Sequence, residues 1–162
     1  MIYVNNLHSL NYNKKEYKCS VGLNGFTKNK IEGDKKTPSG TYGFGNLFVR
    51  TDRIPDLNTK FKIINIQKEM AWSDDPTKSS YNKLIKINYN HKESLYRKDN
   101  KYDLLLVINY NIDPIIPHKG SAIFMHLTTD SYEATAGCVA LKLNDFTEIL
   151  KTLNPNDKIT IV

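Results

Sequence analysis

The apolar residues of this chain come in short runs, and turn-forming residues close each one. Residues 104–108 (LLLVI), 122–125 (AIFM) and 139–141 (VAL) are apolar throughout, and none is long enough for a helix. Runs of this length, set off by Gly, Pro and Asn, read as strands. Residues 104–108 read as a central strand buried on both faces, and 122–125 as a buried strand ending at His126. Weaker alternation adds strands at 2–4, 61–66 and 84–89, and 17–23 reads as a returning strand after turn material at 11–13. Pro38 and Gly40 turn the chain into a strand over 41–44, and residues 158–162 supply the last one. Helical spacing occurs clearly once: Phe146, Ile149, Leu150 and Leu153 share a face, with Asn144 as the expected N-cap and Asn154-Pro155 as the stop. The expectation is a single domain over 1–162, mainly β and mostly antiparallel, with one packed C-terminal helix.

Charge and cysteine content narrow the function classes. The net charge is +6, but the lysines are spread along the chain rather than blocked. A nucleic-acid partner requires patchiness, so none is expected. No apolar run reaches the length of a membrane span. The first fifteen residues lack the basic-then-apolar layout of a signal peptide. The chain as written is therefore expected in the cytoplasm, or in the periplasm or cell wall if a leader has been removed. Cys19 and Cys138 are too few for a disulfide framework. Cys19, inside an apolar stretch, reads as a packing residue. No paired Cys/His spacing suggests zinc, Asp74-Asp75-Pro76 reads as a turn rather than a metal site, and no cofactor is called for. His8, His91 and His118 sit in polar surroundings and are expected at the surface.

The chemistry concentrates in residues 121–141, SAIFMHLTTDSYEATAGCVAL. A polar loop joins the strand ending at His126 to the run that Gly137-Cys138 opens, so an imidazole and a thiol 12 positions apart reach the ends of two strands. A thiol needs a base or an electropositive site to act as a nucleophile near neutral pH. A small buried cysteine would have the same sequence signature. Residues 71–82 form a second notable segment, a polar loop carrying the only tryptophan. With Trp72, Tyr81 and Asn82 it reads as a substrate lid or as a plain loop.

Residues 121–141 resemble the active-site signature of the L,D-transpeptidase catalytic domain (YkuD-type): a strand ending in His, a loop, then [Ser/Thr]-x-Gly-Cys. His126, Thr135, Gly137 and Cys138 are the matching positions. Thr37, Pro38, Gly40 and Tyr42 resemble a second family motif, Thr-Pro-x-Gly-x-[Phe/Tyr]. KCSVGLNG, EGDKKTPSGTYGFGNLFVRTDR, WSDDP and LYRKDNKYDLLLVINYN extend the likeness, in order, over nearly the whole chain. The resemblance implies a β-sandwich built around the Cys-bearing loop. It also implies acyl transfer on peptidoglycan stem peptides: Cys138 attacks, His126 handles the proton, backbone N–H groups near Gly137 and Cys138 hold the oxyanion, and the Leu127 carbonyl orients the ring. The implied partner is a peptidoglycan or muropeptide substrate, acted on by a monomer.

The sequence departs from the commonest family pattern at Ala136, where the family has His, and at Ala140, where it has Arg. Arg53, Arg97 or Lys142 could replace that arginine on the substrate side. Three functions stay open: an L,D-transpeptidase; an L,D-carboxypeptidase trimming terminal D-alanine from tetrapeptides; and a non-catalytic module binding wall fragments. An activated Cys138 should alkylate well below pH 8.

Overall fold

The structure, a computed structural model, describes residues 1–5, 8–87 and 93–162. Thirteen strands and one α-helix are assigned among them. In chain order they are β1 (Ile2–Val4), β2 (Ser9–Tyr12), β3 (Lys15–Lys18), β4 (Phe26–Thr27), β5 (Thr37–Pro38), β6 (Gly40–Val49) and β7 (Ile63–Asn65). There follow β8 (Met70–Trp72), β9 (Leu84–Lys86), β10 (Leu104–Ile108), β11 (Phe124–Leu127), β12 (Val139–Leu141), α1 (Leu143–Thr152) and β13 (Lys158–Ile161).

The long strand β6 ties the two halves together. Its first residues, Gly40 to Gly43, pair antiparallel with β13, which continues to β1, β2 and β3. Its last residues, Leu47 to Val49, lie between β10 on one edge and β7 on the other. Beyond β10 come β11 and β12, giving the order β12-β11-β10-β6-β13-β1-β2-β3. The result is the expected mainly β sandwich with one C-terminal helix. Leu104 to Ile108 are buried along their whole length, as a run apolar on both faces requires.

The main core joins Ile2, Val4 and Leu10 of one half to Leu47, Val49, Leu106 and Met125 of the other. Phe146, Ile149, Leu150 and Leu153 press the helix into the same core. Each such side chain contributes about 1.5–3 kcal/mol by leaving water. This helix fixes β12 just before it, and β12 follows Cys138 directly.

Several sequence expectations shift once tertiary pairing is seen. The turn expected at 11–13 falls at Asn13 and Lys14, both with positive φ (49° and 63°), closing a two-residue hairpin between β2 and β3. The strand expected at 17–23 stops at Lys18. From Ser20 the chain leaves that hairpin and pairs instead with the candidate site: Ser20 exchanges backbone hydrogen bonds with Ala140, and Val21 and Leu23 bond Thr135. Asn144 does not cap the helix. Lys142 occupies the N-cap without a side-chain bond, and the Asn144 carbonyl accepts from the Thr147 hydroxyl at 3.0 Å. Ala71 and Trp72 belong to β8, not to a loop, because β9 pairs with them. The strand expected over 84–89 covers Leu84–Lys86; positions 88 and 89, like His91, lie outside the described residues. His8 and His118 are exposed. No helix among the described residues is long and apolar enough to cross a membrane.

Candidate functional site

β11 and β12 run parallel with Met125 opposite Val139 and His126 opposite Ala140. Paired residues share a face and alternate residues along a strand return to it, so Phe124, His126, Cys138 and Ala140 face the same way. That register, not sequence proximity, brings the imidazole and the thiol together. Both line one cavity of about 250 Å³. His126 lies within β11 rather than ending it, and Leu127 follows in the strand.

The imidazole is fixed at one nitrogen. His126 Nδ1 lies 2.8 Å from the Leu127 carbonyl oxygen. A carbonyl only accepts, so Nδ1 carries the proton and Nε2 keeps its lone pair. The Tyr102 ring meets the imidazole edge-on at 5.3 Å. Tyr102 also meets Phe124, and Phe124 meets Trp72 at 5.2 Å. This aromatic row backs the site from below. Burial, aided by Lys101 and Arg97 and opposed by the Leu127 hydrogen bond and Asp99, pulls the His126 pKa down to about 4. The ring is neutral near pH 7.

The sulfur rests between two main-chain groups. Cys138 donates its S–H to the Ala122 carbonyl at 3.2 Å and accepts from the Phe124 N–H at 3.4 Å. Burial pushes the thiol pKa up to about 12, with Glu93 pushing the same way and the Phe124 N–H and Lys30 opposing. Burial thus runs against the ionisation well below pH 8 that an activated Cys138 would show. Burial favours the neutral form of both the thiol and the imidazole. Cys138 and Cys19 are both free and buried.

Gly137 is confined on both sides. Its φ is +140°, and a Cβ there would lie 2.8 Å from the Lys36 carbonyl oxygen. Its N–H donates to Thr135 Oγ1 at 3.1 Å, and that hydroxyl donates to the Cys138 carbonyl at 2.7 Å. The Gly137 amide expected to hold an oxyanion is thus already engaged by Thr135.

The residues expected at a substrate lid sit elsewhere. Trp72, Tyr81 and Asn82 are buried, and none lines the cavity. Asn82 Oδ1 accepts from Trp72 Nε1 at 2.9 Å and from the Ala122 N–H at 3.0 Å, while its Nδ2 donates to the carbonyls of Tyr110 and Asn111. Ala122 has φ +53°, a conformation unfavourable for alanine, and Asn82 holds it there. Tyr81 donates to Glu32, and Glu32 also accepts from Ser121. These three side chains hold the 120–122 segment against which the thiol rests.

Arg53 is also away from the cavity. It pairs with Asp103 at 2.8 Å and donates to the Asp99 carbonyl, pinning the 98–103 loop. Lys142 pairs with Asp130 outside the cavity. Of the three basic residues expected to replace the missing arginine, Arg97 lines the cavity. Sequence reasoning missed Lys30, Lys101, Glu32 and Glu93, which line it too. Lys30 follows no motif, and only the path of the chain from Thr27 to Lys36 brings it beneath the Cys138 loop.

The L,D-transpeptidase catalytic domain family (YkuD) matches residues 2–161. The chain belongs to this family. No curated protein matches it. Among solved structures, Bdellovibrio bacteriovorus Bd1075 is similar at a TM-score of 0.53 and 17% identity, over 100% of this chain and 47% of that one. The helical cell shape determining protein Pgp2 from Campylobacter jejuni gives 0.48 and 16%, over 99% of this chain and 46% of that one. The chain thus spans about half the length of the structures it matches.

Proposed function

We propose that this chain is a cysteine acyltransferase acting on peptidoglycan stem peptides, with Cys138 as nucleophile and His126 as base. One observation carries the reading. The Nδ1–Leu127 bond leaves Nε2 of His126 as an acceptor, on the strand face and in the cavity that Cys138 shares. Membership of the family supplies the substrate class.

The steps follow from the resting groups. The thiol proton leaves the Ala122 carbonyl and passes to Nε2 of His126 as the sulfur attacks the carbonyl carbon preceding a D-residue. The carbonyl π pair moves to oxygen. Collapse restores the C=O, breaks the C–N bond and sends the His126 proton to the departing amine. A thioester remains on Cys138. A second amine, or water, gives its proton to His126 and attacks; the sulfur leaves and takes the proton back. The buried imidazole is a weak base, so proton transfer and attack belong to one event rather than to a stored thiolate.

Incubation with a disaccharide tetrapeptide, read by mass spectrometry, tests this. Cross-linked dimers identify a transpeptidase. Tripeptide with free D-alanine identifies an L,D-carboxypeptidase. Both products should vanish in Cys138→Ala. Folded wild type that yields neither overturns the reading and leaves a binding module.

A further inference from the structure

Lys30 is 4% exposed, an unusual state for a charged side chain. Two glycines make room for it. A Cβ on Gly120 would lie 2.8 Å from Lys30 Cε, and a Cβ on Gly137 would lie 3.3 Å from its Nζ. The ammonium therefore ends beside the peptide that precedes Cys138. Asp34 Oδ1 accepts from it at 2.7 Å and the Lys36 carbonyl at 2.8 Å. An ammonium has three N–H groups. Two are engaged by Asp34 and Lys36, and the side chain lines the cavity that Cys138 also lines.

The reaction proposed above needs donors for the oxygen that becomes negative when sulfur attacks. Backbone amides usually serve. Here the Gly137 N–H is bonded to Thr135 Oγ1, whose own proton is bonded to the Cys138 carbonyl. This leaves the Cys138 N–H short of a companion. The third N–H of Lys30 is beside the same peptide.

We propose that Lys30 is a catalytic residue of this site, whose third N–H stabilises the oxyanion of the tetrahedral intermediate on Cys138 in place of the Gly137 amide. The inference rests on the acyl-transfer reading. Lys30 acts only as a hydrogen-bond donor: it meets the π pair on oxygen as the C–S bond forms and releases it when the C–N bond breaks. Asp34 fixes the ammonium in advance, so no reorganisation accompanies the charge. The low-dielectric surroundings make that single contact stronger than it would be in water. The same charge acts on the sulfur, favouring its ionised form.

The test uses the full chain and two opposed variants. Lys30→Met keeps most of the stem and removes the charge. Asp34→Asn keeps the lysine and removes its counter-charge. The other groups with which the thiol interacts (Phe124, Ala122, Tyr102 and Glu93) are unchanged in both. With a muropeptide that wild type processes, Lys30→Met should lose about 10²–10³-fold in kcat with little change in KM. Alkylation of Cys138 at a fixed pH near 9 should slow severalfold in Lys30→Met and quicken in Asp34→Asn. Loosening of the loop would move both variants the same way. If Lys30→Met fails to fold by circular dichroism, Lys30→Gln takes its place. Unchanged kcat, or alkylation rates that move together, overturns the role of Lys30 and leaves the enzyme reading intact. A wild type that processes no muropeptide sinks both.

Discussion

The Cys138 thiol points its proton at the carbonyl oxygen of Ala122, 3.2 Å away. Ala122 in turn is held in its left-handed conformation by Asn82, whose Oδ1 accepts the Ala122 N–H at 3.0 Å. The thiol is thus turned toward main chain, and the buried Asn82 amide helps decide where that main chain lies. In the proposed reaction, substrate has to turn the proton toward His126 before sulfur attacks.

This arrangement predicts a slow thiol. With its pKa pushed up to about 12, chiefly by burial, Cys138 holds far less thiolate at neutral pH than an unperturbed cysteine. Cys19 is raised to about 12 by burial as well. Native protein treated with iodoacetamide at pH 7.5 should therefore react at least about a hundredfold more slowly than the same protein in urea, by intact mass. Native labelling as fast as in urea would mean that the thiol is not held as described.

His126 predicts an acid limb of stability. Its pKa falls from 6.5 unfolded to about 4 folded, so between these values the unfolded chain binds the extra proton and the fold loses stability as pH drops. At about 1.4 kcal/mol per pKa unit, the loss between pH 7 and pH 4.5 is about 2–3 kcal/mol. His126→Phe keeps a ring against Tyr102 and has nothing to titrate. Urea unfolding at both pH values should show this difference in wild type and lose most of it in the variant. Equal pH sensitivity in the two would show that other groups dominate.

What could be read without coordinates divides by range. Local signals placed Cys138 after Gly137, the apolar strand at residues 104–108 and the helix face of Phe146, Ile149 and Leu150. Each rests on a period or a turn residue inside one short window. The fate of Trp72 was set by distant partners: β9 pairs with β8, Phe124 packs on the indole, and Asn82 takes its N–H. A tryptophan in a polar stretch looks the same whether it covers a ligand or anchors a core. Lys30 was invisible for a related reason. Its slot is cut by two glycines 17 positions apart, Gly120 and Gly137, and neither is near it in sequence. Ser20 and Val21 read as an ordinary strand, yet they bind Ala140 and Thr135 across the molecule.

Asn82 should be costly to replace. All four of its hydrogen-bonding positions are used: two by Trp72 and Ala122, two by Tyr110 and Asn111. Asn82→Ala leaves these partners without it, at about 1–3 kcal/mol for each group that water cannot reach. A loss of at least about 2 kcal/mol in urea unfolding is expected. Asn82→Asp keeps the oxygen that accepts from Trp72 and Ala122 but loses both donors, and it should still fold with a weaker hold on 110–111. A neutral Asn82→Ala would show that Ala122 keeps its conformation without help.

Arg97 should read the free carboxylate of the substrate. His126 must give its proton to the departing amine, so in the proposed reaction the departing residue sits on the imidazole side of the sulfur. The cations acting on that imidazole are Lys101 and Arg97. Ala140 lies opposite His126 in register and offers no charge of its own. Arg97 lines the cavity, with its guanidinium over the Tyr102 ring and steadied by both oxygens of Asp99. A charged hydrogen bond contributes about 1.5–3 kcal/mol, or roughly 10- to 150-fold. Arg97→Ala should therefore lower kcat/KM by at least about tenfold on a tetrapeptide ending in a free acid. On the same peptide with a C-terminal amide, wild type and variant should perform alike, because the guanidinium has no charge to meet. Equal losses on acid and amide would assign Arg97 to holding Tyr102 and His126 in place and leave carboxylate binding to Lys101.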